Sequence, residues 1–235
     1  AGMGHYGFPI EGVIPKDRFP HGIEAVSDAV HTAGLGFLMW FEPERVAPNT
    51  ELANEHPEWE ISPDHSGGGL FNLGIPEARQ YMTDYLNAVV RAYTLDWLRI
   101  DYNIDPLPYW EFLNANDPNR CGLAEIRYVE GLYRMWDDLR AANPRLLIDD
   151  CASGGRRIDL ETMSRSIPLW RTDATIGPLM AHDFNQSALQ NQVMTAGLSR
   201  YVPFSVSGQM GATPYLFRSG FNAGIAFAIP SHIVE

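Results

Sequence analysis

Four of five short apolar runs in this sequence end at acid. Gly36–Phe41 runs into Glu42 and Glu44; Trp97–Asp101 ends on Asp101; Leu146–Asp150 ends on Asp149 and Asp150; Pro168–Thr172 stops at Asp173. The fifth run is Val202–Ser207. Between them lie stretches of helical period. Ile23, Val26, Ala29 and Val30 share one face, as do Ala78, Met82, Tyr85, Leu86, Val89 and Val90. Ile126, Val129, Tyr133 and Trp136 are expected to point inward from a helix over Leu123–Ala142. Further helices are expected near Leu160–Ser166, Gln186–Leu198 and Pro214–Ala228. Strand and helix alternate with no hairpin signal, which predicts an α/β fold with a parallel sheet. A doubly wound sheet and a (β/α)8 barrel both satisfy that pattern. The carboxylates favour the barrel, because barrel sites are assembled at one face from the C-terminal ends of several strands. No GxGxxG turn follows an early strand, as a dinucleotide fold requires. Two long connections, Asn49–Gly69 with its Gly67-Gly68-Gly69 tract and Ile104–Gly122, read as functional loops.

With 235 residues and 45% apolar content, the chain can bury one sizeable core and reads as one domain over residues 1–235. Its formal net charge of −12 repels a nucleic-acid backbone and an anionic membrane surface, so neither is an expected partner. No run is long and apolar enough to span a membrane as a helix. Cys121 and Cys151 form neither a disulfide framework nor a CxxC motif and are expected to be free thiols. His31, His56, His65 and His182 show no metal-ligand spacing, so no metal is expected. The sequence opens on AGMGHYG, closes on SHIVE and reads as a piece of a longer chain, which leaves its compartment, cytoplasmic or exported, open.

The chemistry concentrates in Trp97–Asp105, WLRIDYNID. A buried strand opening into a site at its C-terminal end has this pattern, and Arg99 and Asn103 flank Asp101 on the same strand face. A carboxylate between a cation and an amide suits a nucleophile or a sugar-binding acid, and equally a salt-bridged strand end. Asp149 and Asp150 are adjacent and face opposite ways, one toward the mouth of the sheet and one in a structural role. Glu42 and Glu44 are strand-end caps or residues that orient the site. Trp110 and Trp136 are expected in the core.

Beside WLRIDYNID stand FLMWFEPERV at Phe37–Val46, His56-Pro57-Glu58-Trp59, LLIDDCASGGRRID at Leu146–Asp159 and LWRTDA at Leu169–Ala174. Together they resemble the melibiase group of retaining α-galactosidases, glycoside hydrolase family 36. The resemblance runs over nearly the whole chain. The WFEPE, CASGG and W-x-x-D motifs in this order are specific for the family and much less so for the sugar. The resemblance implies a truncated (β/α)8 TIM barrel, with roughly strands three to seven present. It also implies hydrolysis of terminal α-D-galactosyl residues by double displacement, without metal or cofactor. Asp101 matches the nucleophile and Asp173 the general acid/base. Trp40 matches a wall of the sugar pocket. Cys151, Ser153 and Gly154 match the loop around the 2-substituent, and Arg157 matches the arginine of that loop. Arg99 stands where the family has lysine, and the two are not equivalent at a sugar hydroxyl. Trp170-Arg171-Thr172-Asp173 stands for Trp-x-Ser-Asp, and Arg156 stands where glycine is common. The arginine that family members carry after WFEPE has no placed counterpart in Gly69-Leu70-Phe71-Asn72.

The residues fit that chemistry. A retaining glycosidase divides the work between two carboxyls about 5–5.5 Å apart. Asp101 attacks in its ionised form, favoured by Arg99. Asp173, partly desolvated beside Trp170, starts protonated and then serves as base. Sugar CH faces pack on aromatic rings, which suits Trp40 and Trp59. Asn103 and Trp170 complete the expected substrate contacts. The expected partner is an oligosaccharide with a terminal α-galactoside. The competing readings are an α-N-acetylgalactosaminidase of the same fold and an inactive sugar-binding fragment. A homo-oligomer of the full-length parent stays open.

Overall fold

The computed structural model describes residues 5–7, 10, 14–64, 68–173, 184–208 and 213–226. The chain divides into two compact units, Ala1–Asp149 and Asp150–Glu235.

Helix α1 (Glu24–Thr32) leads into strand β1 (Leu38–Phe41) of the first unit. Ile23 is buried beside this helix, but Val26 is exposed. The inward position on α1 is Ser27, whose hydroxyl donates to the Tyr93 carbonyl at 2.7 Å. After β1 the chain leaves the main sheet through β2 (Arg45–Val46), helix α2 (Glu51–Glu55), β3 (Glu60–Ile61) and β4 (Gly69–Phe71). These strands form a small antiparallel sheet of order β2-β4-β3. The connection expected as a loop over Asn49–Gly69 is therefore a folded excursion. Strands of two or three residues are too short to display a period of two, which is why no hairpin signal precedes them.

Helix α3 (Pro76–Ala92) starts on proline, which needs no N–H partner there, and buries all six residues of its expected face. Strand β5 (Trp97–Ile100) then runs parallel to β1, with Trp40 opposite Arg99 and Phe41 opposite Ile100. The second expected loop also folds, into helix α4 (Leu107–Asn116), with Trp110 buried. Helix α5 (Leu123–Ala142) has the expected bounds but a rotated face. Ile126 is 57% exposed, whereas Tyr128, Leu132, Met135, Trp136 and Leu139 are buried. Strand β6 (Leu147–Asp150) completes the main sheet in the order β1-β5-β6. These strands and helices make successive βαβ units, as the alternation predicts.

Helices α3 and α5 pack side by side. Gly131 on α5 explains why its inward face is the one it is: a Cβ there would lie 2.1 Å from the Leu73 carbonyl oxygen and 2.7 Å from its carbon. We expect Gly131→Ala to lower the unfolding free energy by about 1–3 kcal/mol through overpacking. Urea unfolding measures this, and an unchanged midpoint would mean that α5 can move away from Leu73 at no cost.

In the second unit, Ser153 and Gly154 adopt left-handed φ of 49° and 86° and turn the chain after β6. Helix α6 (Leu160–Met163) is shorter than expected and opens on a capping box. Asp159 Oδ1 accepts from the Glu161 and Thr162 amides, and the Asp159 amide donates to Thr162 Oγ1. Pro168–Thr172 is not the expected strand. Pro168 has no N–H, and the Leu169 and Arg171 carbonyls accept from the Val206 and Gly155 amides, one on either side. Helix α7 (Phe184–Ala196), strand β7 (Val206–Gly208), helix α8 (Pro214–Ser219) and strand β8 (Gly224–Ala226) complete the unit. β7 and β8 pair in parallel. The helix expected over Pro214–Ala228 thus stops at Gly220 and gives way to a strand. Among the described residues, no helix is long and apolar enough to cross a membrane.

Candidate active site

In the first unit, acid stands at the end of each main-sheet strand. Asp101 follows β5 directly and is only 8% exposed. Its amide donates to the Phe41 carbonyl at 2.8 Å, which carries the β1–β5 register one residue beyond the strand. Its carboxylate accepts from the Trp40 indole Nε1 at 3.0 Å on Oδ2 and from the Tyr102 amide at 2.8 Å on Oδ1. Both oxygens are thereby oriented. Trp40, expected as a pocket wall, is brought against the expected nucleophile.

Arg99 ion-pairs through Nη1 with Asp149 Oδ2. The Asp149 side chain is fully buried and that of Arg99 is 13% exposed. Arg99 Nη1 thus reaches across to β6, while the donors on Asp101 include the Trp40 indole and the Tyr102 amide. Asp149 and Asp150 do take separate partners, as adjacent strand residues must. In the second unit, Asp150 Oδ1 lies 3.2 Å from Arg157 Nη2.

The two glutamates of WFEPE have different roles. Glu42 is fully buried. Its Oε2 accepts from Arg45 Nε at 2.9 Å, and its Oε1 accepts from Arg45 Nη2 at 3.0 Å and from the Asn103 amide at 2.8 Å. Arg45 Nη2 also donates to the Asn103 carbonyl at 3.2 Å. Glu42 therefore holds the chain two residues beyond Asp101, and its bond to Arg45 raises the pKa of that guanidinium. Glu44 instead accepts from the Tyr128 hydroxyl of α5, a joint between sheet and helix. Asn103 is exposed and lines a cleft of about 530 Å³ with Arg45, Asp64, Asp105, Pro108 and Tyr109. Sequence reasoning missed Arg45 and Tyr109. The Glu42-x-x-Arg45 spacing was an available signal for the first, and nothing local marks the second.

Trp59 is occupied elsewhere. It stacks on His56 with ring centroids 3.6 Å apart and meets Tyr81 and Phe71 at its other sides. His31 bonds Asp96 at 2.9 Å and ties α1 to the start of β5. Among the described residues, no group of three His, Cys, Asp or Glu could hold a metal. His65, Gly67 and His182 lie outside the described residues.

In the second unit, the CASGG turn seats the segment carrying Asp173. A Cβ on Gly154 would lie 2.9 Å from Thr172 Cα and 3.3 Å from the Asp173 amide nitrogen. The Gly155 amide donates to the Arg171 carbonyl at 3.1 Å. No side chain fits between the turn and this backbone, so Gly154 and Gly155 let the turn pack directly against the backbone of Arg171–Asp173. Cys151 is a buried free thiol, and Cys121 an exposed one. Arg157 flanks the turn through Asp150. Arg156, at the position where glycine is common, folds back onto the turn. Its Nε donates to the Ala152 carbonyl at 2.8 Å and its Nη2 to Ser153 Oγ at 3.2 Å. Trp170 is half-buried three residues before Asp173. Arg171 is buried, donates to Ser199 Oγ and the Phe204 carbonyl, and has its pKa lowered by burial.

Comparison with known proteins agrees with these motifs. The family model described as Melibiase matches residues 11–197. The chain is 29% identical over 199 residues to an alpha-galactosidase of Escherichia coli, covering 82% of this chain and 25% of that protein. It is 30% identical over 178 residues to alpha-galactosidase C of Emericella nidulans, covering 68% and 22%. The crystal structure of an alpha-galactosidase from Lactobacillus brevis superposes with a TM-score of 0.72 at 25% identity, covering 94% of this chain and 31% of that one. A GH36 alpha-galactosidase variant from Geobacillus stearothermophilus, in complex with stachyose, shares the fold with a TM-score of 0.75 at 17% identity, covering 99% and 32%. The chain thus spans about a quarter of the length of the curated relatives it matches. With the family model covering most of its length, the chain belongs to the Melibiase family, the GH36 alpha-galactosidases.

Proposed function

We propose that this chain is part of the catalytic (β/α)8 barrel of a retaining glycoside hydrolase, roughly strands three to seven. In this reading the enzyme removes terminal α-D-galactosyl residues from oligosaccharides or glycoconjugates. The observation that carries the reading is the Asp101 carboxylate, buried at the end of β5 with one oxygen on the Trp40 indole and the other on the Tyr102 amide. Attack on an anomeric carbon needs an oriented carboxylate beside an aromatic wall, and this site provides both.

In the first step, an Asp101 oxygen attacks the anomeric carbon while Asp173 gives its proton to the glycosidic oxygen. The bond to the leaving sugar breaks and a β-galactosyl ester forms on Asp101. In the second step, the Asp173 carboxylate takes a proton from water, whose oxygen attacks the same carbon and frees Asp101. Two inversions return the α-configuration. Arg99, fixed by Asp149, together with Asn103 and Trp170, contacts the substrate. Cys151, Ser153, Gly154 and Arg157 surround the 2-substituent. The complexes of Geobacillus stearothermophilus alpha-galactosidases with stachyose and raffinose support an oligosaccharide as the substrate.

The test is a panel of aryl α-glycosides of galactose, N-acetylgalactosamine and glucose, given to the full-length protein that carries this chain. The galactoside is expected to have a kcat/KM at least about tenfold above the others, with α-galactose as the first product by NMR. Preference for the N-acetylgalactosaminide would reassign the Cys151–Arg157 turn to a larger 2-substituent. Binding without hydrolysis would favour a sugar-binding role.

A further inference from the structure

We infer that Arg156 is a positioning residue for Asp173, acting through the left-handed turn at Ser153 and Gly154. This rests on the reading of Asp173 as the proton donor and adds to it what holds the donor's backbone. All the residues concerned belong to the second unit. Arg156 takes a position where glycine is common in the family, so the brace belongs to this chain's own sequence.

The turn needs a restraint. Ser153 and Gly154 both have left-handed φ, 49° and 86°. Glycine adopts that conformation freely, whereas the Cβ of a serine crowds the following carbonyl oxygen. Ser153 therefore tends to relax out of it, and the Arg156 side chain opposes this at two points. Its Nε donates to the Ala152 carbonyl at 2.8 Å, just before Ser153, and its Nη2 donates to the Ser153 hydroxyl at 3.2 Å. A planar guanidinium fixes the spacing of its donors, so the carbonyl and the hydroxyl are held at once. The Ala152 amide also donates to the Gly154 carbonyl at 2.8 Å and closes the turn from within.

The restrained turn is the bed on which the Asp173 backbone rests. A Cβ on Gly154 would lie 2.9 Å from Thr172 Cα, 3.2 Å from the Thr172 nitrogen and 3.3 Å from the Asp173 nitrogen. One residue on, the Gly155 amide donates to the Arg171 carbonyl at 3.1 Å. A rotation about φ of Ser153 carries Gly154 and Gly155 with it. The contact then breaks, or it drags the backbone of Arg171–Asp173 along. A displacement of about 1 Å at a reacting group can cost about 10²-fold in rate. Loss of the brace therefore falls on proton transfer by Asp173. Attack by Asp101, at the end of β5, involves no residue of this turn.

The experiment measures kcat/KM in the full-length protein for a series of aryl α-galactosides, from the activated dinitrophenyl to the poor phenyl leaving group. The readout is the slope of log kcat/KM against leaving-group acidity. Loss of folded protein, or of a sugar contact shared by the whole series, leaves that slope unmoved. In Arg156→Ala, the dinitrophenyl galactoside is expected to stay within about twofold of wild type and the phenyl galactoside to fall about tenfold, a partial loss of general acid catalysis. On the dinitrophenyl substrate, kcat and KM are expected to fall together, because Asp173 also serves as the base that frees the ester. Ser153→Gly added to Arg156→Ala is expected to bring the phenyl galactoside back to within about threefold of wild type, because glycine holds the left-handed φ without a brace. An equal fall across the series, a wild-type slope in Arg156→Ala, or a slope that Ser153→Gly leaves unrestored would overturn the positioning role. Asp173→Ala is the control for the catalytic reading: a wild-type slope there would remove Asp173 as the proton donor, and this inference with it.

Discussion

Asp101→Ala is expected to lower kcat on aryl α-galactosides by about 10³-fold or more, because it removes the covalent step altogether. Asp173→Ala is expected to spare activated substrates and to slow those with poor leaving groups by about 10²–10⁴-fold, the range for lost general acid catalysis. Added azide separates the two roles. In Asp101→Ala, azide can displace the leaving group directly from the α-galactoside, with one inversion, to give β-galactosyl azide. In Asp173→Ala, Asp101 still forms the β-galactosyl ester from an activated substrate, and azide opens it from the opposite face to give α-galactosyl azide. NMR of the products distinguishes them. Near-normal turnover by Asp101→Ala, or the same azide anomer from both variants, would contradict the assigned roles.

Asp149→Ala is expected to cost about 3–5 kcal/mol of stability, since it leaves Arg99 charged, nearly buried and without its ion-pair partner on β6. Arg99→Met combined with Asp149→Leu is expected to recover most of that loss, because a packed apolar pair replaces two desolvated charges. Urea unfolding of the single and double variants measures both effects. If the proposed substrate contact of Arg99 holds, galactosidase activity is expected to be lost in the double variant, because the guanidinium is gone. A loss below about 1 kcal/mol in Asp149→Ala would mean that Arg99 is solvated well enough without Asp149.

The main sheet and the helices behind it were readable because their signals are local and long. Helix α3 repeats its apolar face over 17 residues, and β1 and β5 are apolar runs that end abruptly in acid. The small β2-β4-β3 sheet was not readable, because strands of two or three residues carry no pattern. The inward face of α5 was misjudged because two stripes compete on that helix. The winning stripe contains Gly131, which admits the Leu73 carbonyl, a contact between residues 58 positions apart. At the site, the acids stood out from their places at strand ends. Their partners did not: Trp40 reaches Asp101 across 61 positions and Arg99 reaches Asp149 across 50, and no sequence spacing encodes such pairings. The Glu42–Arg45 pair, three residues apart, could have been anticipated. The role of Arg156 could not, because its place in the motif suggests only the loss of a glycine, whereas the side chain braces the turn.

The most direct measurement is a search for the covalent intermediate. Asp173→Ala protein is mixed with an activated aryl α-galactoside, quenched with acid during turnover, digested and weighed peptide by peptide. The account predicts a galactosyl ester on the peptide containing Asp101 and on that carboxylate alone. An ester on any other residue, or no ester together with β-galactose as the first product of the wild-type protein, would contradict it.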